Sequence, residues 1–229
     1  MAEAARSAPV EHFPALAALP GFVHAFVVRV PGVDARHDKE EALRRLDVVH
    51  RQMRSEHNVG GIAFLTADQV HGSNVETIDD SPTVAKCFAA CDGLITNLPD
   101  ICLGIYVADC CAVYLVDPVR KCIGIVHSGK KGSELGIAGR AIDLMTERYG
   151  SQPSDLVVQL SPCIRPPHYE VDFAAEILRV CQQRGVQNIH DAGICTACDL
   201  DRYYSYRAEK GKTGRMLAFL AIKSDQNTH

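Results

Sequence analysis

A chain of 229 residues, 47% apolar and 23% charged, can bury a full hydrophobic core as one large domain or two small ones. Its formal net charge of −4 argues against non-specific binding to nucleic acid or to an anionic membrane, and no apolar run approaches the roughly 20 residues that cross a bilayer. The start, MAEAARSAPVEHFPALAALP, lacks the basic opening and unbroken apolar run of a secretory signal, so a cytoplasmic location is expected.

Residues 1–20, rich in Ala and Pro, are expected to be partly ordered ahead of a single domain over 21–229. Phe22–Arg29 reads as a strand stopped by Pro31-Gly32. Asp38 to about His57 reads as a helix, with Ala42, Leu46, Val49 and Met53 along one stripe and Asn58-Val-Gly-Gly after it. Two short strands follow, Ile62–Leu65 and Asn74–Ile78, separated by Gln69-Val-His71-Gly.

The stretch from Cys91 to Met145 is the centre of the chain. Ile101–Ala108, Ala112–Val116 and Cys122–Val126 are short runs rich in Ile and Val, the look of buried strands. One helix is predicted after them, placing Leu135, Ala138, Ile142 and Met145 on a core-facing side. Asp155–Leu160 is a further strand, Ser161–Pro167 cannot be helical, Phe173, Ile177, Val180 and Cys181 mark another helix, and Gly214–Ile222 reads as a last strand. Strands and helices alternate without a strict βαβ rhythm, which predicts an α/β or α+β fold of mixed sheets flanked by helices.

Reactive side chains stand at the edges of the apolar runs. Cys102, Cys122 and Cys181, three of ten cysteines, sit inside apolar patterns and read as small core residues. His71, Cys110 and His127 lie at strand ends or the adjacent turns. Imidazole and thiolate are the ligands zinc prefers, and three protein ligands with an open fourth position form a catalytic rather than a structural zinc site. The same residues also fit a catalytic cysteine, with Cys110 activated by His127 or His71, and sequence does not separate the two. Gly129-Lys130-Lys131-Gly132, after a strand, suits an anion such as phosphate but lacks Walker A spacing. Cys195-Thr-Ala-Cys198 has no second CxxC to complete a zinc site and reads as structural. Asp201–Arg207 and Lys212–Arg215 gather tyrosines and arginines, either as a surface element or as a pocket wall.

Several short motifs occur in fixed order: Gln69-Val-His71-Gly, Cys91-Asp-Gly-Leu-Ile-Thr96, Ala108-Asp-Cys110, His127-Ser-Gly-Lys-Lys-Gly132, Pro162-Cys-Ile, Tyr169-Glu-Val171, Tyr204-Ser-Tyr-Arg207 and Thr213-Gly-Arg215. Over residues 22–222 the chain resembles the YfiH or laccase-domain family, also called multicopper polyphenol oxidase-like or purine nucleoside phosphorylase. The resemblance implies one domain of α/β/β/α layers and a zinc site on His71, Cys110 and His127. It also implies phosphorolysis of adenosine, inosine, guanosine or methylthioadenosine, with adenosine deamination. Arg29 matches the family's early Thr-Arg motif and is expected near phosphate with Lys130 and Lys131, while Gln69 and Asp109 are expected to orient substrate. The family's His-Ala-Gly-Trp-Arg-Gly is His127-Ser-Gly-Lys-Lys-Gly132 here, and its Cys-Cys-Tyr-Glu is Pro167-His168-Tyr169-Glu170. Copper polyphenol oxidation is the less favoured chemistry, since the chain has no His-x-His pair. A cysteine amidase on Cys110 and His127, and a metal-binding protein without enzymatic activity, complete the readings.

Overall fold

The computed structural model describes residues 9–80 and 82–224. In chain order its elements are β1 (Val10–Glu11), α1 (Pro14–Ala17), β2 (Phe22–Val27), α2 (Lys39–Glu56), β3 (Ala63–Ala67), β4 (Val75–Ile78), β5 (Lys86–Phe88) and β6 (Gly93–Thr96). Then come β7 (Ile101–Val107), β8 (Cys111–Asp117), β9 (Cys122–Ser128), α3 (Lys130–Glu134), α4 (Ile137–Tyr149), β10 (Val157–Leu160), α5 (Phe173–Gln183), β11 (Asn188–Asp191) and β12 (Met216–Ile222). No helix of the described residues is long and apolar enough to cross a membrane.

The strands form two mixed six-stranded sheets, in the orders β1-β2-β12-β7-β3-β5 and β11-β10-β8-β9-β6-β4. Side chains alternate across a strand, and here both faces are apolar because both are covered. Phe26, Leu103, Ile105 and Leu220 of the first sheet meet Tyr114, Val116, Ile123 and Ile125 of the second. The Tyr114 hydroxyl donates to the Ala25 carbonyl at 2.9 Å, so the one polar atom of that large ring is satisfied inside the core. The outer face of the second sheet, with Val113, Leu115 and Val126, is covered by Ala138, Ile142 and Met145 of α4 and by Phe173, Ile177 and Cys181 of α5. On the far side, α2 sets His50 against Tyr106 and Arg54 over the Phe64 ring. The result is the α/β/β/α layering.

α2 starts where Asp38 caps the Glu41 N–H at 3.0 Å, and buries Ala42, Leu46 and Met53. The single helix expected after His127 is instead two. Gly136 adopts φ +72°, a left-handed conformation open to glycine, and separates α3 from α4. Leu135 is consequently 52% exposed and off the apolar face, while Ala138, Ile142 and Met145 are buried as expected. The expectation of partial order at the start falls on residues 1–8, outside the described residues, and on residues 9–20, which form β1 and α1 and bury Phe13 and Leu16.

Of the connections that pass between the sheets, two that run from the first to the second bear on the site: β3 to β4 through residues 68–74, and β7 to β8 through residues 108–110. A third, from β11 to β12 through residues 192–215, carries it back. All three supply residues to one cleft at an end of the sandwich.

Candidate active site

His127 follows Ile123 and Ile125 on the inward face of β9, the last inward position of that strand. His71 comes from the β3–β4 crossover and Cys110 from the β7–β8 crossover, and the ligand atoms of the three lie within 4.8 Å of one another. The rings of His71 and His127 meet edge to face at a centroid distance of 4.8 Å.

One residue holds this arrangement from beneath. Asp92, fully buried at the entrance to β6, accepts from the His127 Nδ1–H at 2.9 Å, from the His71 backbone N–H at 2.8 Å and from the Gly72 N–H at 2.7 Å. With Nδ1 so engaged, Nε2 of His127 is the nitrogen left for Cys110 or a metal. Burial works against the Asp92 carboxylate, but these donors outweigh it and keep its pKa below the usual range.

Burial alone would raise the Cys110 thiol; the His127 charge and hydrogen bonds from His127 and His71 bring it down instead, to about 6. Burial likewise opposes the His127 imidazolium, yet the Cys110 thiolate and Asp92 hold it up to about 9. Each group thus favours the charged form of the other, the thiolate–imidazolium state of a nucleophilic cysteine, whereas a metal would take the thiolate with His127 as neutral imidazole, its proton released. Gly129 leaves the sulfur its room, since a Cβ there would stand 2.5 Å from Cys110 Sγ.

Backbone strain collects here. Gln69, His71 and Asp109 have φ of +65°, +60° and +81°, each a left-handed conformation costing a non-glycine residue about 1–3 kcal/mol. Hydrogen bonds fix all three. The Gln69 carboxamide donates to the Tyr106 carbonyl at 2.5 Å and accepts from its N–H at 3.0 Å. Asp109 accepts from the Thr196 hydroxyl and from the Arg207 N–H, both at 2.7 Å. The side-chain polar groups of Gln69 and Asp109 are thus engaged in holding the crossovers.

The cleft above the triad has a volume of about 1100 Å³. Gln69, His71, Asp109, Cys110, His127, Lys130 and Lys131 all line it, as do Tyr169, Tyr206, Arg207 and Arg215. The Tyr- and Arg-rich segment thus forms part of the wall. Arg29 is placed elsewhere. Its guanidinium donates to Glu209 at 2.6 Å and to the Tyr203 carbonyl at 3.0 and 3.2 Å, and lies over the Tyr204 ring, so its charge is already paired behind the wall.

Residues 34–177 and 171–223 match the family model described as multi-copper polyphenol oxidoreductase laccase. The chain belongs to this laccase-domain family. Its relatives include the purine nucleoside phosphorylase YlmD of Bacillus subtilis, 28% identical over 198 residues, 70% of this chain and 71% of that protein. Purine nucleoside phosphorylase LACC1 of Homo sapiens is 27% identical over 164 residues, 58% of this chain and 38% of that protein. The crystal structure of YlmD from Geobacillus stearothermophilus superimposes with a TM-score of 0.81 at 23% identity, covering 93% of this chain and 94% of that one. The Bacillus licheniformis protein YfiH gives 0.74 at 23% identity over 88% and 93%.

In the laccase-domain chain Asp92 is the residue that sequence reasoning passed over. Its signal was the Cys91-Asp-Gly opening of a strand, an acidic residue at the mouth of an apolar run, which reaches the β3–β4 crossover and β9 only once both are folded.

Proposed function

We propose that the protein is a zinc-dependent purine nucleoside phosphorylase that also deaminates adenosine, acting in the cytoplasm. One observation carries the reading: a His-Cys-His cluster opens into the same cleft as Lys130, Lys131, Arg207 and Arg215. The naming of its relatives as purine nucleoside phosphorylases points the same way.

The donor set fits the metal. Two imidazoles and one thiolate leave a fourth position toward the cleft, the ligand count of a catalytic zinc site, while multicopper oxidation would need His-x-His pairs that the chain lacks. His71, Cys110 and His127 would hold the ion, which supplies Lewis-acid charge at the reacting centre. The protein's own residues do the rest. Lys130 and Lys131 hold inorganic phosphate with Arg207 and Arg215, and Tyr169 and Tyr206 flank the purine. A phosphate oxygen attacks ribose C1′, the glycosidic C–N bond breaks, and the purine leaves with the electron pair and takes up a proton. Free base and ribose 1-phosphate result. Deamination uses the same cleft, with water adding at adenine C6 and ammonia leaving.

The test incubates the metal-loaded protein with adenosine, inosine, guanosine and methylthioadenosine, with and without phosphate, and separates products by chromatography. Phosphate-dependent release of base is expected, with inosine formed from adenosine. No product from any of the four would sink the proposal. The low thiol pKa of Cys110 beside His127 favours a cysteine amidase as the second reading. Iodoacetamide separates the two: slow labelling of Cys110 in the metal-loaded protein and fast labelling after chelation fit the zinc enzyme. Fast labelling throughout, with activity that survives chelation, fits the amidase.

A further inference from the structure

A second cluster of soft donors lies behind the cleft wall. His168 follows the non-helical Ser161–Pro167 segment, and Cys195 and Cys198 flank a single 3-10 turn at Thr196–Cys198. The ligand atoms of these three residues lie within 4.8 Å of one another. Nδ1 of His168 stands 3.7 Å from Cys195 Sγ and 3.5 Å from Cys198 Sγ. Zinc–sulfur and zinc–nitrogen bonds of about 2.3 and 2.1 Å, at a tetrahedral angle, place sulfur and nitrogen roughly 3.6 Å apart. The imidazole nitrogen thus stands from both sulfurs at the spacing of two tetrahedral zinc ligands, and a fourth position is left for solvent.

Backbone groups orient the three side chains. The Arg165 N–H donates to Cys195 Sγ at 3.4 Å, and the Cys198 N–H closes the CxxC turn on the Cys195 carbonyl at 3.1 Å. The His168 N–H bonds the Arg165 carbonyl at 2.9 Å, which turns the ring toward the sulfurs. A disulfide between Cys195 and Cys198 would give His168 no part, whereas a metal uses all three. We propose that His168, Cys195 and Cys198 form a second metal site, distinct from His71, Cys110 and His127, which takes a thiophilic divalent cation of the zinc type.

Its place in the fold gives it a role. Thr196, inside the CxxC, donates to Asp109, the residue between Ala108 and Cys110. Tyr169, next to His168, lines the cleft with the Arg207 guanidinium 4.8 Å above its ring. An ion joining His168 to the two cysteines therefore fastens two segments of cleft wall and, through Thr196, the crossover that presents Cys110. Binding releases the two thiol protons to solvent, so uptake strengthens as pH rises.

The experiment uses the full chain, reduced and stripped by chelation, then titrated with Zn²⁺ or Co²⁺ in reducing buffer. Wild type is expected to take two equivalents. Cys110→Ala/His127→Ala should keep one, with a thiolate-to-cobalt charge-transfer band, and Cys195→Ser/Cys198→Ser should keep the other. His168→Ala, at an exposed position, should weaken the second site at least tenfold. Peptide-resolved iodoacetamide labelling of wild type gives an independent readout: Zn²⁺ should protect Cys195 and Cys198. Equal labelling of both with and without Zn²⁺ overturns the proposal. So does a cobalt band lost entirely in Cys110→Ala/His127→Ala, or recovery of Cys195 and Cys198 as a disulfide that forms equally fast with Zn²⁺ present.

Discussion

Replacing Asp92 by Asn keeps the shape of the side chain and removes the charge beneath His127. The carboxylate accepts three hydrogen bonds at 2.7 to 2.9 Å in a fully buried position. In one orientation the new amide nitrogen opposes the Gly72 N–H; in the other it opposes both the His71 N–H and the His127 Nδ1–H. One or two hydrogen bonds to a charged acceptor are lost, at about 1.5–3 kcal/mol each, so a loss of about 1.5–6 kcal/mol in unfolding free energy is expected. The partner that orients a ligating histidine carries about 10- to 100-fold in metal affinity, and the same loss is expected at the His71–Cys110–His127 site. Urea unfolding gives the first number and competition against a coloured chelator the second, with the affinity measured under conditions where the variant is folded. A third readout isolates the electrostatic part. Without the carboxylate the His127 imidazolium loses support, the Cys110 thiol rises from about 6, and alkylation of the stripped protein at neutral pH slows. A variant with wild-type stability, metal affinity and alkylation rate would refute the role given to Asp92.

Lys130→Ala/Lys131→Ala should raise the KM for phosphate about 2- to 30-fold, from about 0.2–1 kcal/mol per exposed ion pair, with metal content unchanged; unaltered phosphate kinetics would return these lysines to the solvated surface. Gly129→Ala would bring a Cβ to 2.5 Å from Cys110 Sγ, so at least a tenfold loss of metal at that site is expected by titration. His50 is buried with neither ring nitrogen hydrogen-bonded, and burial, helped by the Arg54 charge, holds its pKa down to about 3. The unfolded chain therefore takes up that proton first, and stability falls as pH drops from about 6.5 toward about 3. His50→Leu should flatten that part of the urea-derived stability profile and raise stability at neutral pH, whereas an unchanged acid slope would show that His50 does not carry it.

The core strands were legible because they bury both faces. β7, β8 and β9 read as apolar runs rich in Ile and Val, and the reactive residues Asp109, Cys110 and His127 stood out at their ends. Strands at the margins gave no such pattern. β5 is Lys-Cys-Phe with two exposed residues, β11 is Asn-Ile-His-Asp and largely accessible, and each lies at the edge of its sheet. The break between α3 and α4 was hidden because Leu135 happens to keep helical spacing with Ala138 and Ile142; only the left-handed Gly136 reveals it. His168 and the CxxC pair are about thirty residues apart in sequence and meet only because the Cys163 and Cys195 backbones bridge in parallel. Arg29 shows the converse: the family resemblance pointed to phosphate, but the guanidinium is paired with a carboxylate and a carbonyl behind the wall.

Why the cleft lies at this end of the sandwich follows from the crossovers. A chain passing between two packed sheets must turn sharply, and three of its turning residues, Gln69, His71 and Asp109, take left-handed backbone in doing so. Such turns persist only when hydrogen bonds over-determine them, and the partners come from other elements: Tyr106 at the end of β7, Asp92 before β6, Thr196 and Arg207 from the β11–β12 connection. The groups that present His71 and Cys110 are therefore the same ones that stitch the sheets together at this edge. Loosening any one of them moves a ligand by the fraction of an ångström that matters for metal geometry, while the apolar interior a few residues away, Ile123 and Ile125 among it, stays packed. Substitutions in this ring of hydrogen bonds, Asp92→Asn among them, should thus lower metal affinity and stability together, whereas a change at Ile123 or Ile125 acts on stability first.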